Sequence, residues 1–213
     1  LETTDKWLKG QELPDDPILQ NFVKYHRLVA DFEAREKAGV APAMPLVEEY
    51  KALSSFAEFA GKSAEYMLAG KPNFLRFDVA PDFMNAQMNV LWADAPSIIL
   101  PDTTYYEEGN EKGPELLAAW RKMQEELLPK FGFSAEETKD ILDKYLELDA
   151  KLAKYVLSNE EMSEYAKLYH PYDWADFVQL TPELPLNAIF TQILGQLPDK
   201  VIVPQERFWK EFA

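Results

Sequence analysis

The periodicity of apolar residues is the feature that most restricts how this chain can fold. Along most of its length, large apolar side chains recur at spacings of three and four, which places them on one face of an α-helix. The stretch from residue 74 to residue 100 departs from this pattern, because apolar and polar residues alternate there with a period of two. We therefore predict a mainly α fold, a multi-helix lobe with a small β-hairpin or sheet around residues 74–100.

Capping and breaking residues mark the ends of the predicted helices. Asp16-Pro17 is typical of a helix start, and Ala38-Gly39 of the end of the same helix. Ser134 and Ser158 are each followed three residues later by glutamate, which is the spacing of a capping box. The apolar faces of three predicted helices are Ile18, Phe22, Tyr25, Val29 and Phe32; Leu116, Trp120, Met123, Leu127 and Phe131; and Ile141, Tyr145, Leu148, Leu152 and Tyr155.

The period-two stretch predicts two paired strands. Phe77 and Val79 share one face of the first strand, and the second strand alternates from residue 87 to residue 92. Pro81-Asp82 lies between them and supplies turn chemistry. We expect the second strand to lead towards Ile98 and to end at Pro101, because the proline ring fixes φ and removes a backbone donor.

Composition excludes several classes of function. The net charge of −15 argues against nucleic acid as a partner, because the phosphates would be repelled. The apolar runs are short and interrupted by charge, so we predict no membrane-spanning segment. The absence of cysteine excludes disulfides and thiolate metal sites, and it fits a reducing compartment or a bacterial origin. The chain starts without methionine and stops partway through a predicted helix, so we expect it to be a piece of a longer protein.

The residues that could carry catalysis are few. The two histidines, His26 and His170, are far apart in sequence and neither belongs to a His-Glu-x-x-His pattern. No glycine-rich phosphate-binding loop and no serine elbow is present. Carboxylates are plentiful, but we interpret the adjacent pairs as helix-start residues stabilised by free amides. These pairs are Glu107-Glu108, Glu136-Glu137 and Glu160-Glu161. We therefore predict no catalytic residue and no metal ligand in this chain.

A connector with an unusual composition carries the most specific motif. Leu100-Pro101-Asp102-Thr103-Thr104-Tyr105-Tyr106 resembles the Leu-Pro-x-Arg-Asp-Tyr-Tyr connector of the neprilysin-like zinc peptidases, the M13 family. The flanking segments, residues 77–92 and 146–153, are similar to that family as well, and the resemblance covers essentially the whole chain. Within that family, the chain is similar to the branch of the bacterial oligoendopeptidases O. Thr103 and Thr104 stand where many relatives carry Arg and Asp.

The resemblance identifies residues 1–213 as a fragment of the M13 amino-terminal helical domain. Leu100, Pro101, Asp102, Tyr105 and Tyr106 are then structural signature residues, with the tyrosine rings packed against helices and their hydroxyls hydrogen-bonded. The implied function is that of a non-catalytic lobe of a zinc metalloendopeptidase. Such a lobe encloses a chamber and limits the size of the oligopeptide substrates. The implied partner is the catalytic domain of the same chain, which holds the zinc beyond residue 213, and the expected location is the bacterial cytoplasm.

Two other hypotheses remain open at this point. The chain could be a free-standing helical interaction module that uses its aromatic stripes to bind a partner. It could also be an enzyme that uses its paired carboxylates for acid–base chemistry, with Glu160 and Glu161 as candidates. A His-Glu-x-x-His motif farther along the same reading frame would favour the peptidase over both.

Overall fold

A computed structural model describes residues 2–211, and the chain divides into two compact units, residues 1–50 and 51–213. The first unit is helical. Its helices are α1 (Glu2–Leu8), α2 (Pro17–Ala30), α3 (Phe32–Ala38) and α4 (Met44–Lys51), the last of which ends at the boundary. Within residues 2–211, no helix combines the length and hydrophobicity needed to cross a bilayer.

Aspartates define the longest helix of the first unit. Asp16 accepts hydrogen bonds from the amides of Ile18 and Leu19, so α2 starts at Pro17 as predicted. The expectation of one continuous helix up to Gly39 is wrong, because Asp31 leaves the helical conformation and caps α3 through the amide of Ala34. The apolar stripe predicted from the spacing is solvent-exposed. It comprises Ile18, Phe22, Tyr25, Val29 and Phe32.

The second unit contains the other helices of the described chain and a small sheet. The helices are α5 (Phe56–Leu68), α6 (Lys112–Leu127), α7 (Ala135–Leu152), α8 (Asn159–Ser163), α9 (Trp174–Phe177), α10 (Leu186–Leu194) and α11 (Glu206–Glu211). Both predicted capping boxes are present, at Ser134 and at Ser158. Gly132 and Gly195 adopt left-handed conformations where a 3-10 turn and α10 end, which is the usual role of glycine at such positions.

The sheet has four strands in the order β1-β2-β4-β3. They are β1 (Arg76–Asp82), β2 (Asn85–Asp94), β3 (Pro171–Asp173) and β4 (Lys200–Ile202). β1 and β2 form the predicted antiparallel hairpin, β2 and β4 are parallel, and β3 and β4 are antiparallel. Two predicted details are wrong. Pro81 pairs within β1 opposite Asn89 and the turn lies at residues 83–84, because an edge strand tolerates proline.

The second wrong detail is the expectation that the second strand leads towards Ile98 and ends at Pro101. β2 ends instead at Asp94, well before Pro101.

The core packs against the face of the hairpin that carries Phe77 and Leu91. The Phe77 ring lies 4.7 Å from that of Phe190 and 5.6 Å from that of Trp209, whose indole donates to the carbonyl of Ala93. The buried cluster is Ala60, Ala64, Leu75, Leu91, Ala93, Ala95, Trp174, Phe177, Leu184, Leu186, Ile189, Phe190, Val201, Val203, Phe208 and Trp209. The predicted mainly α fold with a small sheet is therefore confirmed.

Candidate functional site

The connector between the sheet and α6 is tied to α8 through Asp102. One carboxylate oxygen of Asp102 accepts from the amide of Thr104 at 2.8 Å and caps the 3-10 helix Thr103–Tyr106. The other oxygen accepts from the amide of Asn159 at 2.6 Å, and the Asn159 side chain donates back to the Pro101 carbonyl at 3.2 Å. The hydrogen bonds from Thr104 and Asn159 lower the pKa of Asp102. Asp102 therefore fixes the connector against the start of α8.

The connector is tied to α7 through Tyr106 and a buried carboxylate. Asp149 accepts from the Tyr106 hydroxyl with one oxygen and from the amide of Ile99 at 2.8 Å with the other. The same hydroxyl accepts from the amide of Leu100 at 3.1 Å. Burial, and then the hydrogen bond to Asp149, raise the pKa of Tyr106 above its usual range, so it remains a neutral donor. The bend at residues 99–100 is thus held by side chains rather than by a strand ladder.

The other signature residues, Leu100, Pro101 and Tyr105, differ in how far they are buried. Leu100 is buried, Pro101 is exposed, and Tyr105 is half-buried. The backbone carbonyl of Tyr105 lies directly over Gly113 at the start of α6, where a Cβ atom would overlap it. The absence of a side chain at Gly113 therefore allows the 3-10 helix to rest on α6.

Asp149 and Gln205 are structurally important residues to which the sequence had assigned no role. Asp149 is spaced seven residues from buried Leu142, so it projects from the buried face of α7. Gln205 accepts from the amide of Leu157 at 2.8 Å and donates to the Asp94 carboxylate at 2.6 Å. An acid within an apolar helical stripe is the pattern that could have identified Asp149, whereas no local pattern marks Gln205.

Among the acidic pairs and the two histidines of the sequence, two of the glutamates form capping hydrogen bonds, and one histidine contacts a backbone carbonyl. Glu137 and Glu161 each accept from a capping serine amide at 2.7 Å, which agrees with the helix-start interpretation. The same interpretation is wrong for Glu107-Glu108, which follow the 3-10 helix instead of starting a helix. His170 contacts the carbonyl of Val203 through Nδ1 at 3.2 Å, and His26 lies on the exposed helix α2 of the other unit.

A zinc site does not fit the residues of this part of the chain. Over residues 2–211, no group of three or more His, Asp or Glu side chains is arranged to hold a metal ion. The two histidines belong to separate units, and zinc in peptidases requires several converging nitrogen and oxygen ligands.

The hairpin is fixed at its turn by a second polar cluster. Asp82 is buried and pairs with Lys200 of β4, and it also accepts from the Tyr169 hydroxyl and the Met84 amide at 2.9 Å each. Its hydrogen bond with Lys200 is the main reason that the pKa of Asp82 is lowered. The Phe83 ring packs 4.7 Å from Trp92. The turn is thus held in one position relative to β4.

This helical scaffold with its mixed four-stranded sheet is similar in fold to two solved bacterial proteins. The crystal structure of PepO from Lactobacillus rhamnosis HN001 superposes with a TM-score of 0.86 over 99% of this chain and 34% of that one, at 21% identity. The zinc metalloprotease Zmp1 of Mycobacterium tuberculosis, solved with an inhibitor, gives a TM-score of 0.71 over 84% of this chain and 28% of its own, at 19% identity. These likenesses define the fold class.

Sequence similarity defines the family. The model described as "Peptidase family M13" matches residues 2–213. A Streptococcus gordonii protein whose name describes a zinc metalloproteinase in the scaA 5′ region is 63% identical over 210 residues, 99% of this chain and 37% of its own length. The neutral endopeptidase of Lactococcus lactis subsp. cremoris is 33% identical over 205 residues, 95% of this chain and 32% of its own length. The chain belongs to peptidase family M13, which confirms the resemblance, and it spans about a third of the length of these relatives.

Proposed function

We propose that this chain is a non-catalytic helical part of a zinc metalloendopeptidase that hydrolyses oligopeptides. In this proposal the remainder of the same polypeptide supplies the catalytic domain and all the zinc ligands. Residues 1–213 contribute to a wall that encloses the reaction chamber and limits the size of the peptides that enter. The proposed location is the bacterial cytoplasm.

The observation that carries the proposal is the family match over residues 2–213. The relatives named as a zinc metalloproteinase and as a neutral endopeptidase extend well beyond the matched region, to about three times its length. The described residues offer no metal-binding group, so the proposal assigns zinc to the remaining length. A zinc ion in that part would supply the activated water for peptide hydrolysis.

A wall that limits substrate size must keep its shape. Hydrogen bonds between distant segments of this chain would help it to do so. Asp149 and Gln205 each join backbone segments that are distant in sequence through half-buried hydrogen bonds, and Asp102 does so through an exposed one. Such contacts restrict a segment to one geometry, because an unsatisfied buried amide or carboxylate costs about 1–3 kcal/mol. The connector is consequently a segment whose conformation is fixed by hydrogen bonds to α7 and α8.

The enzymatic part of the proposal is tested on the full-length protein that contains this chain. We expect the purified protein to hold about one zinc ion per polypeptide, to cleave short peptides, to lose activity on chelation and to regain it when zinc is restored. The matched control is the 213-residue chain alone, which should neither retain zinc nor cleave the peptides. A full-length protein that lacks zinc-dependent peptidase activity would refute the proposal, and a stop codon soon after residue 213 would favour the free-standing module.

The size limit requires a separate experiment. One cleavable sequence is presented within peptides of increasing length, within a long unfolded polypeptide and within a folded protein. We expect kcat/KM to fall by about tenfold or more beyond a threshold length, because longer chains cannot enter a closed chamber. The unfolded polypeptide is the key control, since it removes folding of the substrate as a reason for slow cleavage. Equal rates on short and long unfolded chains would contradict the chamber role.

A further inference from the structure

The outer half of the β1–β2 hairpin, residues 79–90, extends beyond the rest of the sheet. β4 pairs with β2 only at Leu91 and Trp92, so this outer half has no strand partner other than its own hairpin mate in the described structure. We call residues 79–90 the distal hairpin. Four of its large apolar side chains are exposed, Val79 56%, Phe83 56%, Met84 78% and Met88 61%, whereas Val90 at its base is buried.

The composition of the distal hairpin is unlike that of a water-facing surface. Its twelve residues contain one charged side chain, Asp82, whereas 28% of the whole chain is charged. Asp82 is itself buried and paired with Lys200, so it contributes no exposed charge at the tip. The exposed polar side chains of the distal hairpin are the uncharged amides Asn85, Gln87 and Asn89. An exposed, uncharged hairpin edge rich in apolar residues promotes aggregation unless it is covered, and charge-depleted patches are typical of interface centres.

The distal hairpin is also held rigidly. The bonds from Lys200, Tyr169 and the Met84 amide converge on Asp82, and the Phe83 ring rests against Trp92. Beside it lies a groove of about 460 Å³, whose lining includes the apolar residues Val79, Met88 and Leu194 and the polar residues Asn89, Asp199 and Lys200. A preorganised apolar projection with an adjoining groove loses little conformational entropy when a partner covers it.

We propose that the distal hairpin is a docking element that inserts into an apolar, uncharged surface in the part of the same polypeptide lying outside residues 1–213. This inference rests on the proposed function, since it requires that such a part exists. The chain spans 37% of its 63%-identical relative, so well over half of the length of a comparable protein is available to cover the hairpin.

Charge and connectivity favour this occupant over a second copy. Residues 1–213 carry a net charge of −15, which repels the same region of a second copy. A segment of the same polypeptide is tethered to the hairpin. It is therefore present at a high effective concentration and does not depend on association between separate molecules. The docked surface need only be apolar and free of buried charge, because the hairpin tip offers no exposed charge to pair with it.

The first test measures thiol accessibility in the native full-length protein. Met84→Cys is compared with Met123→Cys on α6, a methionine that is 54% exposed and therefore the less accessible of the two in this chain. We expect a maleimide to label Met84→Cys at least about tenfold more slowly than Met123→Cys, with equal rates after denaturation. Wild-type protein labelled in parallel gives the background. Labelling of Met84→Cys as fast as Met123→Cys would overturn the inference.

The second test identifies what covers the hairpin. A photo-crosslinking amino acid is placed at position 84 of the full-length protein, and the crosslinked peptides are identified by mass spectrometry at two protein concentrations. Crosslinks to the same polypeptide beyond residue 213, in a yield independent of concentration, support the inference. Crosslinks confined to residues 1–213, or crosslinks between copies, would overturn it. Zinc-dependent activity of the same wild-type preparation is measured separately, so failure of the proposed function and failure of the docking are distinguished.

Discussion

Single side chains, rather than regular secondary structure, fix the path of the connector. The carboxylate of Asp149 binds the amide of Ile99 and the hydroxyl of Tyr106, and that hydroxyl binds the amide of Leu100. Two consecutive backbone amides are therefore satisfied by one tyrosine and one aspartate. All these groups are buried or half-buried, so water cannot fully replace a lost hydrogen bond. Removal of one partner therefore leaves the others without a hydrogen bond that they need.

Replacing Tyr106 with phenylalanine tests this dependence. Tyr106→Phe keeps the ring but leaves the amide of Leu100 and one oxygen of Asp149 without their partner, so we expect the free energy of unfolding to fall by about 1–3 kcal/mol. Urea denaturation followed by circular dichroism measures the change. The control is Tyr105→Phe, whose hydroxyl takes no part in this network and which should change stability little. Equal losses for the two variants would show that the hydroxyl of Tyr106 is not the anchor.

Asp82 predicts a pH dependence of stability. Its pKa is lowered in the folded state, chiefly by the hydrogen bond with Lys200, relative to the ordinary value of 3.8. Its stabilising contribution is therefore fully present above pH 3.8 and is lost as the pH falls from there through the lower folded value. We expect wild type to exceed Asp82→Asn in stability at neutral pH, and the difference to shrink below about pH 4.

The matched control for that experiment is Asp78→Asn, an exposed aspartate on the same strand. Thermal unfolding of the three proteins over a pH series distinguishes a local effect of Asp82 from a general effect of net charge. A difference between wild type and Asp82→Asn that stays constant as the pH falls through the acid range would contradict the assignment.

Among the elements, the contact between the 3-10 helix Thr103–Tyr106 and α6 is the closest backbone approach made at a glycine in the described chain. At Gly113 an added Cβ would overlap the carbonyl oxygen of Tyr105, a backbone atom that cannot rotate away. At Gly61, inside α5, an added Cβ meets no atom within 4 Å. The packing at position 113 therefore requires glycine, whereas the packing at position 61 leaves room for a side chain.

The two glycine-to-alanine substitutions should change stability in opposite directions. Gly113→Ala must displace the connector, and we expect a loss of about 1–3 kcal/mol from overpacking. Gly61→Ala should instead raise the free energy of unfolding by about 0.5–1 kcal/mol, because alanine is the better helix former and restricts the unfolded chain. Urea midpoints of the two variants measure this difference. Stabilisation by both substitutions would show that the connector does not rest on α6.

Elements with strong local patterns could be predicted from the sequence, whereas β3, which is formed by distant pairing, could not. The capping boxes at Ser134 and Ser158 and the β1–β2 hairpin follow from residues close in sequence. The strand Pro171–Asp173 exists because it pairs with Lys200–Ile202, so its three residues show no period of their own. The same holds for the site, since Asp102 was recognised within a contiguous motif whereas Asp149 acts on a segment 50 positions away.

At the scale of the molecule, the two units differ in how much apolar surface they bury. The described part of the first unit has one buried hydrophobic residue, Val23, and leaves the apolar stripe of α2 exposed. The second unit contains the continuous core around Phe177, Phe190 and Trp209. The regular spacing of the stripe correctly predicted a helix, but spacing alone does not specify whether a face is covered within the chain.

This difference predicts unequal local stability in the 213-residue chain. Because most helical stability in proteins comes from packing of an apolar face, α2 should open more readily than α10, which buries Leu186, Ile189 and Phe190. We expect amides of α2 to exchange with solvent at least about tenfold faster than those of α10, and proteases to cleave first within residues 2–50. Native-state hydrogen exchange measures both helices in one sample, so α10 is an internal control. Equal protection of α2 and α10 would mean that the chain unfolds as one cooperative unit. The small number of buried residues in the first unit would then not lower the local stability of α2.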